Sequence, residues 1–257
     1  MISSLIESNK RIYLADGVYR EKLDIVEDNV TLEGNATIVF SDHHGLERDG
    51  FFFSTRHSAT VTVRGKNFKA KGITFKNDFD YMTVACYSKK HPEARVGTQA
   101  VALMLEEGSD NATFEDCSFI GYQDTLYVDR GKSYFKHCHI EGNVDFIFGA
   151  GNAIFEDCDI VITDGFGEFF VAAPSTYIGT PGFRFINCRF SSPLKRKYYL
   201  ARPWHPSGDT SRCSEASFEG CLFDEYLEKE AFTSMDSRTI DGVVRTWMPE
   251  ESRFSIR

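Results

Sequence analysis

The sequence predicts an all-β chain wound as a right-handed parallel β-helix, a single domain over residues 1–257. Three observations predict it. Phe114, Phe135, Phe155, Phe185 and Phe218 each stand three residues before a cysteine, namely Cys117, Cys138, Cys158, Cys188 and Cys221. Two residues after each cysteine another apolar side chain follows: Phe119, Ile140, Ile160, Phe190 and Phe223. The cysteines are 21, 20, 30 and 33 residues apart, so a unit of about twenty residues recurs, with insertions in two coils. The intervening segments are short, rich in Phe, Ile and Val, and broken by Gly and Asn. They lack the leucine and asparagine ladder of leucine-rich repeats, whereas stacked β-coils suit them.

Taken in order, the chain opens with a short helix that Ser3 or Ser4 is placed to cap. Strand-like RIYLADGVYREKLDI and VTLEGNATIVF follow, punctuated by Gly17 and Gly34. Residues 41–56 are polar and His-rich and read as a loop. Strands resume through ATVTVRGKNFKAKGITFKND. There Phe68, Lys71 and Ile73 fit an earlier coil, with lysine in the cysteine slot. Residues 78–98, through Tyr87 and Pro92 to Gly97, read as a second irregular excursion of a length that is usually functional or disordered. After the repeats, residues 224–257 form a tail expected to pack back along the solenoid flank.

Composition excludes several classes. The formal net charge is −9, which argues against nucleic acid as a general partner. No apolar run reaches the ~18 residues of a membrane-spanning helix. The first residues lack the basic start and apolar core of a secretory signal. The 7 cysteines include no CxxC pair and no zinc-type spacing. Five of them read as a core ladder, with Cys86 and Cys213 outside the register, and a Cys138–Cys158 bridge is feasible because adjacent coils lie about 4.8 Å apart. Lys195, Arg196 and Lys197 read as a solvated turn. His137 and His139 share a strand face without a third ligand in register. No other histidine adds a constellation, His91 included.

The chemistry comes from the register of two coils. Asp124 lies seven residues after Cys117, and Asp145 seven after Cys138. Equal register in successive coils stacks them about 5 Å apart on one exposed sheet face. Two carboxylates that close split their titration, leaving one ionised and one protonated at the same pH. Two idle turn aspartates are the bland alternative. Gln123 and Gln99 stand nearby as amide donors for an oxyanion. In YLARPWHP, Arg202 can hold a carboxylate bidentately, and Trp204 can serve as a platform for a sugar ring.

GVYRE, TQAVAL, GYQDTLY, GNVDFIFG and ARPW, in that order, resemble the pectin methylesterase (pectinesterase) family. NDFDY, AAPST, RPWHP and PEESRF resemble its bacterial branch. The resemblance implies a right-handed β-helix that hydrolyses galacturonate methyl esters without a metal or cofactor. It implies Asp145 as nucleophile and Asp124 as general acid and then base. Gln99 and Gln123 become oxyanion donors, and Arg202 the holder of Asp145. Thr55, Val144, Phe148, Trp204 and Met235 become substrate contacts. The expected partner is methylated homogalacturonan or oligogalacturonides, with no nucleic acid or membrane partner and a monomeric chain. Ala201 departs from the family's usual glycine, and both ends are short for the family, so part of the solenoid is expected to be exposed there. Localisation stays open between secreted, as the family mostly is, and intracellular. Two rival functions also stand: a retaining glycoside hydrolase, which a carboxylate pair at this spacing would suit, and a non-catalytic polysaccharide-binding β-helix.

Overall fold

A computed structural model describes residues 1–90 and 97–257 and shows a right-handed parallel β-helix with three faces. Pro92 and His91 lie outside the described residues. The first face stacks the strands Leu23–Ile25, Val61–Val63, Leu103–Leu105, Leu126–Val128, Val144–Gly149, Phe169–Pro174 and Tyr198–Ala201. The other two faces share the long strand Thr31–Phe40, one running through Lys69–Lys71 to Arg253–Ile256, the other through Thr74–Asn77 to Leu222–Phe223.

The repeat is the register. Phe114 pairs Phe135, Phe135 pairs Phe155, Phe155 pairs Phe185, and Phe185 pairs Phe218. These rings stack 4.7–4.8 Å apart down the core, the spacing that parallel strands impose. Phe119, Ile140, Ile160, Phe190 and Phe223 form the second predicted rung in the same way. One earlier assignment moves by two residues. Phe114 pairs Ala70 and Phe119 pairs Phe75, which leaves Ile73, not Lys71, opposite Cys117. Lys71 sits outside the core and pairs with Glu115 at 3.0 Å.

Between the second and third faces each coil turns through one left-handed residue. Asp116, His137, Asp157 and Asn187 all have φ of 51–54°. Short polar side chains tolerate that conformation. His137 accordingly sits in this turn ladder, 3.6 Å from Asp116 and 3.8 Å from Asp157, and His139 pairs with Glu141.

Cys117, Cys138, Cys158 and Cys188 line the core and Cys221 packs against it, Cys86 and Cys213 stand apart, and all seven are free. Cys138 and Cys158, feasible as a bridge by spacing, stay free thiols although they are neighbours, with Cys138 N–H donating to Cys158 Sγ at 3.4 Å. Cys138 donates to the carbonyl of Phe114 and Cys158 to that of Phe135.

Four further expectations are corrected. The opening helix, Ile2–Ser8, has no serine cap; the Glu21 carboxylate accepts from the Ile2 and Ser3 N–H groups and from the Ser3 hydroxyl. The 41–56 loop contains a small hairpin, Glu47–Arg48 with Phe51–Phe52. The excursion after Asp78 contains a helix, Tyr81–Lys90. Asp80 caps it by accepting from Thr83 N–H, and it packs Tyr81, Val84 and Ala85 on Tyr122 and Ala100. Aromatic and β-branched residues of weak helix propensity masked it, until tertiary burial decided the matter. Finally, the tail does not simply lie along the flank. Leu227 and Phe232 extend the first face by isolated bridges. Arg253–Ile256 pairs with Glu215–Glu219 on the second. Between them a hairpin, Met235–Arg238 with Val244–Trp247, folds over the first face.

Candidate active site

Asp124 and Asp145 sit at one register on the first face, because Leu126 pairs Ile147 two residues beyond each. Asp124 N–H donates to the carbonyl of Val144 at 3.1 Å, tying the two coils at the carboxylates themselves. Both aspartates hold left-handed backbone, with φ of 64° and 48°. Such strain persists where the surroundings over-determine it, and it gathers at functional sites. Each is preceded at three residues by a glycine, Gly121 or Gly142. A Cβ on Gly142 would stand 2.2 Å from Phe146 Cβ, so the turn that presents Asp145 has no room for a side chain.

The pair is not on an exposed face, as the register alone suggests. Asp124 is 8% and Asp145 7% exposed, at the bottom of a cleft of about 440 Å³. The 41–56 loop, with His44, Ser54 and Thr55, forms one wall, and Trp204 and Met235 the other. Register describes a sheet and says nothing of the loops that fold over it.

The two carboxylates have different partners. Arg202 donates Nε–H to one Asp145 oxygen at 2.7 Å and an Nη2–H to the other at 2.6 Å. Its guanidinium lies 3.7 Å above the Phe170 ring. This bidentate, aromatic-backed pair fixes the Asp145 carboxylate in orientation. Among the described residues Asp124 has no such partner. Burial first, then the Asp145 charge, pushes its carboxyl well above the usual carboxylate range, with Arg202 opposing. One site thus holds an oriented carboxylate beside a carboxyl that favours its proton.

Gln99 and Gln123 line the same cleft and meet in an isolated parallel bridge. Thr55, Phe148, Trp204 and Met235 line it too. Val144 is the exception: it is half-buried beside Asp145, touches Asp124 through its carbonyl, and lies off the cleft wall. Phe148 stacks on Tyr127 at 4.2 Å, and Trp204 meets Phe148 edge-on at 5.6 Å.

Sequence reasoning missed Tyr127, Arg56 and His44 on the cleft wall. Tyr127 was findable, since it stands three residues after Asp124 as Phe148 does after Asp145, and the two pair in register. Arg56 and His44 come from an irregular loop with no register to read. Arg56 pairs with Asp129 at 2.7 Å and lies 5.1 Å from the Tyr127 ring centroid. Burial and the neighbouring His43 lower the pKa of His44.

Fold and site together define a class: parallel β-helices carrying a buried, unequally partnered pair of aspartates in a cleft rimmed by aromatics. The comparisons with known proteins specify it. The pectinesterase family model matches residues 2–214. Pectinesterase A from Dickeya chrysanthemi is 35% identical over 268 residues, covering 95% of this chain and 72% of that protein. A crystal structure of pectin methylesterase in complex with a hexasaccharide superposes with a TM-score of 0.93 at 33% identity, over 100% of this chain and 83% of that one. Pectin methylesterase PemA from Erwinia chrysanthemi gives 0.90 at 33% identity, with the same coverage. The chain belongs to the pectinesterase family.

Proposed function

We propose that this chain removes methyl groups from galacturonate esters of pectin or pectic oligosaccharides, releasing methanol through a covalent aspartyl intermediate. The observation that carries this reading is the unequal partnering of the two buried aspartates. Asp145, held by Arg202, attacks the ester carbonyl carbon. The carbonyl oxygen takes up the electron pair and is received by the amide N–H groups of Gln99 and Gln123. Asp124, kept protonated by its surroundings, gives its proton to the departing methoxide, which leaves as methanol. The acyl group now sits on Asp145 as an anhydride. Asp124, ionised, takes a proton from water as that water attacks the acyl carbon. Collapse frees the galacturonate carboxyl, returns Asp145 as carboxylate and leaves Asp124 protonated.

Thr55, Phe148, Trp204 and Met235 are placed to contact the sugar chain, with the aromatic faces taking its apolar side. A bound hexasaccharide in a structural relative supports an oligosaccharide in this cleft. The test follows methanol and chain length together on methylated pectin. Methanol release at constant chain length is expected. Chain shortening without methanol would instead indicate a glycosidase, and binding without either product a non-catalytic module.

A further inference from the structure

Thr98 stands between the two oxyanion-hole glutamines and is bonded to both. Its backbone N–H donates to Gln99 Oε1 at 3.1 Å, and its hydroxyl donates to Gln123 Oε1 at 2.6 Å. A main-chain N–H can only donate, so the Gln99 amide must present its oxygen to Thr98 and its NH₂ away from it. The Thr98 hydroxyl, which could donate or accept, faces the Gln123 oxygen in this structure and donates to it, so Gln123 too has its NH₂ turned away. Among the described residues neither amide nitrogen has a hydrogen-bond partner, and both glutamines line the catalytic cleft. The support under Thr98 is itself rigid. Gly97 packs so closely that a Cβ there would fall 2.4 Å from the His44 ring. His44 N–H donates to the main-chain carbonyl of Gln99 at 2.8 Å, and Ala100 N–H to that of Gln123 at 3.1 Å.

We propose that Thr98 is the positioning residue of the oxyanion hole: it occupies both glutamine carbonyls, so that both NH₂ groups face the reacting ester oxygen. It touches no substrate and acts through Gln99 and Gln123. The inference rests on the esterase reading above, and it divides the labour in a way that can be tested. The Gln99 contact is made by main chain and survives any side-chain change except proline. The Gln123 contact is made by the hydroxyl alone. Thr98→Val therefore releases Gln123 and leaves Gln99 held.

The experiment measures kcat and KM for methanol release from methylated pectin with Thr98→Val, Thr98→Ser, Gln123→Ala and the Thr98→Val/Gln123→Ala double variant. Thr98→Val is expected to lower kcat about tenfold with KM little changed, and Thr98→Ser to restore it, since one lost hydrogen bond misdirects one donor. Gln123→Ala is expected to lower kcat about 10²–10³-fold, and adding Thr98→Val to it should change nothing more, because the group that Thr98 aims is gone. Full activity in Thr98→Val, or effects that multiply in the double variant, overturn the inference. A crystal structure of Thr98→Val decides it independently of turnover. A disordered or rotated Gln123 amide is expected, and an unmoved one overturns the proposal. Absence of methanol release by the unaltered protein would sink the esterase reading and leave the Gln123 rotamer to judge Thr98 by itself.

Discussion

Asp124 and Asp145 are chemically identical, and the roles proposed for them divide only through what surrounds each. Asp124 is buried beside a like charge, so its folded pKa is raised. A raised pKa means the folded form grips its proton. The associated stability is present below the ordinary aspartate value and is lost as pH rises through the folded value. Asp124→Asn cannot ionise, so its melting temperature relative to the parent should climb as pH rises, while turnover falls about 10²–10⁴-fold. Melting curves at a series of pH values check the first outcome; a gap that shrinks with rising pH contradicts it. Asp145 behaves differently on removal. Asp145→Ala leaves the largely buried Arg202 guanidinium without its carboxylate, and breaking such a pair costs about 3–5 kcal/mol. Asp145→Asn keeps an acceptor oxygen for Arg202 and is expected to lose activity equally but stability less. Comparison of the two by urea denaturation tests this, and equal stability losses would mean that Arg202 finds another partner.

The C-terminal hairpin is the element that closes the cleft. It brings Met235 onto the wall, and Met235 pairs directly with Trp247 on the opposite strand. Trp247 is clamped between the His205 ring at 3.6 Å and the Arg245 guanidinium at 3.6 Å. Burial lowers the pKa of His205, which favours a neutral ring in this stack. His205 follows Trp204, which lines the same wall, so one stack fixes both a cleft aromatic and the hairpin. Trp247→Ala should therefore raise KM for pectin several-fold while kcat changes little, because Asp124 and Asp145, the proposed catalytic pair, are anchored on other coils. Steady-state kinetics on graded oligogalacturonides would show this; a kcat defect at unchanged KM would place the hairpin's role in the chemistry instead.

Over the whole molecule, stability is a sum of like contacts between neighbouring coils. The phenylalanine column from Phe114 to Phe218 is fully buried, and each ring stacks on the next. Phe155 is central in it and pairs with Phe135, in the unit that leads to Asp145. Phe155→Ala removes a stacking partner on both sides and is expected to cost about 3–5 kcal/mol. Urea unfolding would measure it, and a loss below about 1 kcal/mol would mean that the column relaxes around the gap.

The spacing of Phe and Cys determines which residues stack, because a coil of a β-helix places its members by counting alone. That is why the column, its companion rung and the alignment of Asp124 with Asp145 were legible in the chain. At Lys71 the count slipped by two, where no cysteine marks the coil. Tertiary structure alone decided that the aspartates are buried, since the walls come from a loop and a hairpin that obey no repeat. It also decided which carboxylate is held by an arginine, because Arg202 arrives 57 residues after Asp145. Thr98 joins that list, for a hydroxyl aimed at a glutamine 25 residues away leaves no pattern in sequence. Periodicity encodes the scaffold; the cleft is made by contacts between segments that share no period.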